Sequence, residues 1–298
     1  MEPEIRRVGC IGLGVMGGNM ARHLAAKFEV TVFDADPGRM AGIDGVRRAE
    51  SIASLSQKIE AAVLSLPGSP IVREVVLGAG GLRDSLAPGS FVIDLSTTEP
   101  SVSREVAAAL AQKSIAFLDA PVSGGEKGAR EATLSIMVGG AQVAFDRCRP
   151  LLETIGSSVV RIGDVGMGEI AKLVNNMIVA STFTVIAEGF ALAAKNGVDP
   201  AILYKAIKDG WAGSKVLDVS APGMVEGNFT PGGTVNMMLK DIGYALSLAS
   251  ESSIPVPATS QANEVFKAAK AAGFGAEAQQ AIIKVWEVVT GITVGKRR

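Results

Sequence analysis

A chain of 298 residues exceeds what one hydrophobic core usually supports, so two domains are expected. With 48% hydrophobic and 20% charged residues it can fill such cores and is too apolar for a disordered polymer. Twenty-nine basic against thirty acidic side chains leave a formal net charge of −1, which excludes a global field for nucleic acid or an anionic membrane.

The first residues are charged and lead directly into an apolar strand over residues 7–12, without the apolar segment of a signal peptide; a cytoplasmic location is expected. A helix is predicted over 16–27 and a second strand over 29–34. Further strands are predicted at 61–66, 91–95, 116–118, 135–138 and 159–161, separated by turn residues such as Pro67-Gly68, Pro88-Gly89 and Gly139-Gly140. Strands alternating with amphipathic helices give a parallel sheet covered on both faces, an α/β Rossmann-type domain. After Gly163 the pattern is helical only, opening with a long helix from about 168 to 195 that stops at Asn196-Gly197. Asp199-Pro200 caps the next helix. The expected division is therefore a dinucleotide-binding domain at 1–164 and an all-α domain at 165–298.

Residues 177–194 approach the roughly 20 apolar positions of a membrane span. They carry Ser181, Thr182, Thr184 and Glu188, so a helix buried between protein surfaces is expected instead of a membrane segment. Cys10, in a strand, and Cys148, on a helix, suggest no disulfide framework. The single histidine, His23, has no partner at ligand spacing, so no metal site is expected and it reads as a helix-surface residue.

Gly12-Leu13-Gly14-Val15-Met16-Gly17 lies directly after an apolar strand and opens a helix, where a dinucleotide fingerprint belongs. Its glycines permit a tight turn, approach of the backbone to a pyrophosphate, and close helix–strand packing, while helix N-terminal amides meet the phosphate charge. Asp34, at the end of the second strand, is placed to accept from adenosine ribose hydroxyls, which favours NAD over NADP; Arg39 nearby blurs that preference.

Lys172 and Asn176 share one face of the long helix, with Asn175 beside them, in an otherwise apolar segment. Burying them without partners costs several kcal/mol, roughly, which points to a cleft. A desolvated lysine at a helix start is expected to have a lowered pKa suited to proton exchange. Gly166-Met167-Gly168 before it allows another chain segment or a cofactor to come close. Asp119-Ala120-Pro121-Val122-Ser123-Gly124-Gly125 offers amides and a hydroxyl for an anion such as a carboxylate. Asp94-Leu95-Ser96-Thr97 places hydroxyls at the C-terminal end of a strand, the ligand-binding edge of such sheets.

The glycine loop with Met20-Ala21, the 119–125 segment, residues 166–176 and Lys240-Asp241 together resemble the beta-hydroxyacid dehydrogenases, the 3-hydroxyisobutyrate dehydrogenase-like family, over essentially the whole chain. Ala212-Gly213-Ser214, Val216-Leu217-Asp218 and Gly227-Asn228-Phe229 look closest to its tartronate semialdehyde (2-hydroxy-3-oxopropionate) reductases. The resemblance implies a Rossmann domain and an all-helical domain with the active site in the cleft between them, and a homodimer or homotetramer. It implies Lys172 as proton donor to the carbonyl oxygen and base in the reverse reaction, and Asn176 holding the substrate or the lysine. Ser123, Gly124 and Gly125 would bind the substrate carboxylate. Ser96 or Thr97 would lie near the nicotinamide, Leu66 and Pro67 would line the cofactor groove, and Lys240 would close over the cofactor.

The implied reaction is hydride transfer between NAD(H), with NADP(H) as a lesser possibility, and a short 3-hydroxy acid or semialdehyde, first tartronate semialdehyde to glycerate, second 3-hydroxyisobutyrate. A non-catalytic dinucleotide-binding module is the distant alternative. The sequence departs from the family pattern at Glu131-Ala132-Thr133-Leu134, where a glycine commonly precedes the threonine, and at Gly232-Gly233 after Pro231.

Overall fold

The computed structural model describes residues 5–295. Among them nine strands form one sheet: β1 (Arg7–Ile11), β2 (Glu29–Phe33), β3 (Arg47–Arg48), β4 (Ala61–Leu64), β5 (Phe91–Asp94), β6 (Ala116–Asp119), β7 (Val122–Ser123), β8 (Leu134–Gly139) and β9 (Gly156–Gly163). Their order is β3-β2-β1-β4-β5-β6-β8-β7, with β9 also paired to β8. The sheet is parallel from β3 through β6. Beyond that it is mixed, because β8 runs antiparallel to β6 and β7 and parallel to β9.

The period of two in the central strands accounts for the layering. Val8 and Cys10 of β1, Ala61 and Val63 of β4, and Phe91 and Ile93 of β5 pack into one core, while Ile11, Ala62, Leu64 and Val92 pack into another. Each strand is thus buried on both faces, as a parallel sheet flanked by helices requires. The flanking helices are α1 (Val15–Ala25), α2 (Pro37–Ala41), α3 (Ile52–Ser56), α4 (Ser69–Leu77), α5 (Leu82–Ser85), α6 (Pro100–Ala111), α7 (Gly125–Arg130) and α8 (Gln142–Leu152). β1 lies between β2 and β4, so strand order reverses at the end of β1, the switch point where such sheets bind ligands.

The rest of the chain is helical: α9 (Met167–Lys195), α10 (Pro200–Ile207), α11 (Lys215–Glu226), α12 (Val235–Glu251), α13 (Pro257–Ala269) and α14 (Ile283–Thr290). Asp199 caps α10 by accepting from the Ala201 and Ile202 amides, and Gly197 beyond α9 has φ of 81°. The chain divides into units Met1–Lys172 and Leu173–Arg298, so the first turns of α9 group with the sheet. In the second unit Ala180, Phe183, Ala187, Phe190 and Ala191 of α9 enter a core with Leu217, Met238, Ile242 and Phe266.

Helix α9 is the one described helix long and apolar enough to cross a membrane by length and composition, and only a third of its most apolar window is buried. Val174, Ile178, Val185 and Leu192 form an exposed stripe along it.

Candidate active site

The glycine loop is built by backbone contact. Gly12 has φ of +86°, and a Cβ there would lie 2.3 Å from the Ser65 carbonyl oxygen. A Cβ on Gly17 would lie 1.9 Å from the Gly12 oxygen, so α1 can start against the strand end only with glycine at both positions. Gly14 is the N-cap residue, no side chain caps α1, and the nearest foreign atom to a Cβ at Gly14 is Arg39 Nη1 at 3.7 Å. Val15 and Met16 amides that no side chain caps are the donor set a pyrophosphate requires.

Asp34 is buried and its carboxylate is engaged. Leu13 N donates to Oδ2 at 2.6 Å and Asp36 N to Oδ1 at 2.8 Å, while Arg39 Nη1 stands 3.9 Å from Oδ2. The carboxylate therefore braces the glycine loop as well as keeping lone pairs that ribose hydroxyls can use.

At the neighbouring strand ends, Leu66 N donates to Ser96 Oγ at 2.9 Å and Ser96 N to Asp94 Oδ1 at 3.0 Å. The structure thus brings Leu66 and Ser96 together; Ser96 is buried and Thr97 half-buried. Ser123 pairs with Ser135 in the β7–β8 ladder, and Gly124 and Gly125 follow with φ of +136° and +61°, a turn that leads into α7 with no side-chain cap.

The start of α9 is docked on the same edge. Gly166 N donates to Asp119 Oδ1 at 2.8 Å and Glu169 N to Asp119 Oδ2 at 3.0 Å, so the last residue of β6 caps α9 from 47 positions away. A Cβ on Gly168 would lie 2.4 Å from the Met137 oxygen and 2.6 Å from the Asp119 oxygen. The close approach that Gly166-Met167-Gly168 permits is thus made by the strand ends. Burial pushes the Asp119 carboxyl up to about 6 against the pull of these amides. Lys172 follows within one turn of Glu169 and is buried.

Sequence reasoning missed Thr98 and Glu169. Thr98 Oγ1 donates to Glu169 Oε1 at 3.0 Å, Ser103 Oγ lies 3.2 Å from Thr98 Oγ1, and all three side chains are buried. An acidic residue in the first turn of an apolar helix was the available signal. Its partners, some 70 residues earlier, were not visible.

In the second unit, Asn176 Nδ2 donates to Asp241 Oδ2 at 2.7 Å and Asn175 Nδ2 to Asn176 Oδ1 at 2.9 Å. Lys240 Nζ pairs with Asp241 Oδ1 at 3.1 Å and sits 5.1 Å from the Tyr244 ring centroid. Asn176 and Lys240 are therefore joined through Asp241. Elsewhere, His23 Nε2 lies 2.9 Å from the Arg130 oxygen, and Cys10 and Cys148 are free and buried, their thiols pushed by burial to about 12.

Comparison with known proteins finds relatives along nearly the whole chain. Residues 7–163 match the family model described as the NAD binding domain of 6-phosphogluconate dehydrogenase, and residues 166–286 match that for the NAD-binding of NADP-dependent 3-hydroxyisobutyrate dehydrogenase. The chain is 35% identical over 299 residues to 2-(hydroxymethyl)glutarate dehydrogenase of Eubacterium barkeri, covering 99% of each. It is 33% identical to 2-hydroxy-3-oxopropionate reductase of Escherichia coli, covering 95% of this chain and 98% of that one. The crystal structure of 3-hydroxyisobutyrate dehydrogenase from Salmonella typhimurium superposes with a TM-score of 0.86 at 31% identity, covering 94% and 99%. With both halves matched and the relatives spanned nearly end to end, the chain belongs to the beta-hydroxyacid dehydrogenase family and is an NAD(P)-dependent dehydrogenase acting on a CH–OH group.

Proposed function

We propose that the enzyme reduces tartronate semialdehyde to glycerate with NADH, or runs the reverse reaction. The observation that carries this reading is a buried lysine, Lys172, on a helix start capped by Asp119, the last residue of the strand that precedes the Ser123-Gly124-Gly125 segment. Bound nicotinamide supplies the hydride in reduction and takes it in oxidation. Ser123 and the amides of Gly124 and Gly125 hold the substrate carboxylate. Lys172 gives its Nζ proton to the aldehyde oxygen as the carbonyl carbon accepts hydride, and takes that proton back in oxidation. Asn176, its amide oriented by Asp241, holds the substrate hydroxyl or the lysine. Gly12, Leu13, Gly14, Val15, Met16 and Gly17, with Leu66, Pro67, Ser96, Thr97 and Lys240, hold the cofactor.

Asp34 favours NADH by repelling a 2′-phosphate. Arg39, 54% exposed beside it, keeps NADPH usable. The exposed apolar stripe of Val174, Ile178, Val185 and Leu192 supports assembly into a homodimer or homotetramer, since monomers seldom leave contiguous apolar surface in water. The two buried free cysteines fit a cytoplasmic setting.

A second reading, oxidation of 3-hydroxyisobutyrate, draws on the Salmonella structure and uses the same residues. The test is kcat/KM with NADH and NADPH across tartronate semialdehyde, methylmalonate semialdehyde and succinic semialdehyde, with 2-(hydroxymethyl)glutarate in the oxidative direction. Tartronate semialdehyde with NADH is expected to rank first. A higher value for methylmalonate semialdehyde favours the second reading, and an equal or reversed NADH to NADPH ratio removes Asp34 from its role.

A further inference from the structure

The hydrogen bond between Thr98 and Glu169 joins two segments to which the proposed reaction assigns different duties. Thr98 directly follows Ser96-Thr97 at the end of β5, and Glu169 is three residues before Lys172 in α9. All of these residues lie in the first unit. Both side chains are fully buried, so the bond is not exchanged for water. Ser103 Oγ lies against Thr98 Oγ1 at 3.2 Å, and a hydrogen bond between them fixes the hydroxyl that donates to Glu169.

We infer that Glu169 is a positioning residue: its bond to Thr98 sets the rotation and height of the α9 turn that carries Lys172 relative to the Ser96-Thr97 segment. This rests on the function proposed above.

The cap made by Asp119 holds backbone amides of the helix start, those of Gly166 and Glu169 among them. Those bonds, with the close backbone contact at Gly168, fix where the helix begins, and a side-chain bond adds a further restraint on its first turn. Glu169 supplies that side-chain anchor, to Thr98 in the loop that follows β5. Burial and the nearby negative charges of Asp94 and Asp119 push its carboxyl well above the ordinary range. Oε1 accepts the hydrogen bond from the Thr98 hydroxyl, and glutamine reproduces both the shape and that acceptor.

The experiment is a double-mutant cycle with an isosteric control: Glu169→Gln, Glu169→Met, Thr98→Val and the Met/Val double variant. Each is read by kcat, KM for the semialdehyde, and the rise in Tm on adding NADH. Met and Val keep the volume of the side chains they replace, so each variant can fold with a filled interior. Glu169→Gln is expected to keep kcat within about twofold. Glu169→Met and Thr98→Val should each lower kcat about tenfold, as a misplacement well under 1 Å does. KM and the NADH-induced rise in Tm should stay near wild type. The double variant should fall no further than the lower single variant, because both remove the same bond.

Wild-type kcat in Glu169→Met overturns the inference. So does Glu169→Gln falling as far as the methionine variant, or single effects that multiply in the double. Wild-type protein that turns over none of the acids overturns the proposed function and this inference with it. Active wild type, lost activity in Lys172→Ala and full activity in Glu169→Met overturn this inference alone.

Discussion

Two glycines on one helix, Gly168 and Gly189, should respond to alanine with opposite signs. A Cβ on Gly168 meets main-chain atoms only: the Met137 oxygen at 2.4 Å, the Asp119 oxygen at 2.6 Å and the Gly139 nitrogen at 2.8 Å. None can rotate away, so the start of α9 must retreat by about 0.6–1 Å to reach tolerable contact. The two bonds to Asp119, now 2.8 and 3.0 Å, then stretch to the edge of hydrogen-bonding distance or past it. Losing bonds to a buried carboxyl costs about 1.5–3 kcal/mol each, against a helix-propensity gain of at most about 1 kcal/mol. Gly168→Ala should therefore destabilise by about 2–5 kcal/mol. A shift of that size at Lys172 should lower kcat by about 10²-fold. At Gly189 nothing lies within 4 Å of the added Cβ, so Gly189→Ala should stabilise by about 0.5–1 kcal/mol. Urea unfolding and steady-state kinetics on both variants decide the matter. Equal midpoints for Gly168→Ala and wild type, or a loss at Gly189→Ala, refute the backbone-docking account of α9.

Asp119 makes stability depend on pH. Its folded value of about 6 lies above its ordinary 3.8, so the proton is held more tightly in the folded protein. The resulting stabilisation is full below about pH 4 and is lost as pH rises through 6, by about 3 kcal/mol in all. Relative to Asp119→Asn, wild type should lose stability over that window in urea titrations, and a flat difference refutes the assignment. Ala132, with φ of +52°, holds a left-handed conformation that costs a side chain about 1–2 kcal/mol. Ala132→Gly should raise stability by about 0.5–1 kcal/mol in the same assay once the larger unfolded-state entropy of glycine is subtracted.

The central strands were legible because burial on both faces of a sheet writes itself as short apolar runs, and α9 because a long apolar run between Gly168 and the Asn196-Gly197 stop exceeds strand length. β3 and β7 were not. Each is two residues long, and Arg47–Arg48 pairs with β2 through its backbone while its side chains stay exposed. The glycine loop was legible because its glycines answer to local backbone contacts with Ser65 and Gly12. Asp119 was seen only as the first residue of a loop, since capping a helix 47 positions away leaves no local pattern. Some residues that sharpened the resemblance have structural duties: Ser214 caps α11 by accepting from Leu217 N, and a Cβ on Gly213 would meet the Lys208 oxygen at 2.0 Å. The departure at Ala132 falls on a left-handed position, which is a physical reason for glycine to be common there.

The account turns on proton transfer by Lys172, and single-turnover reduction of tartronate semialdehyde by Lys172→Ala tests it most directly. A rate lower by about 10²-fold or more, with NADH binding unchanged, is the predicted result. Turnover at the wild-type rate in a clean preparation contradicts it.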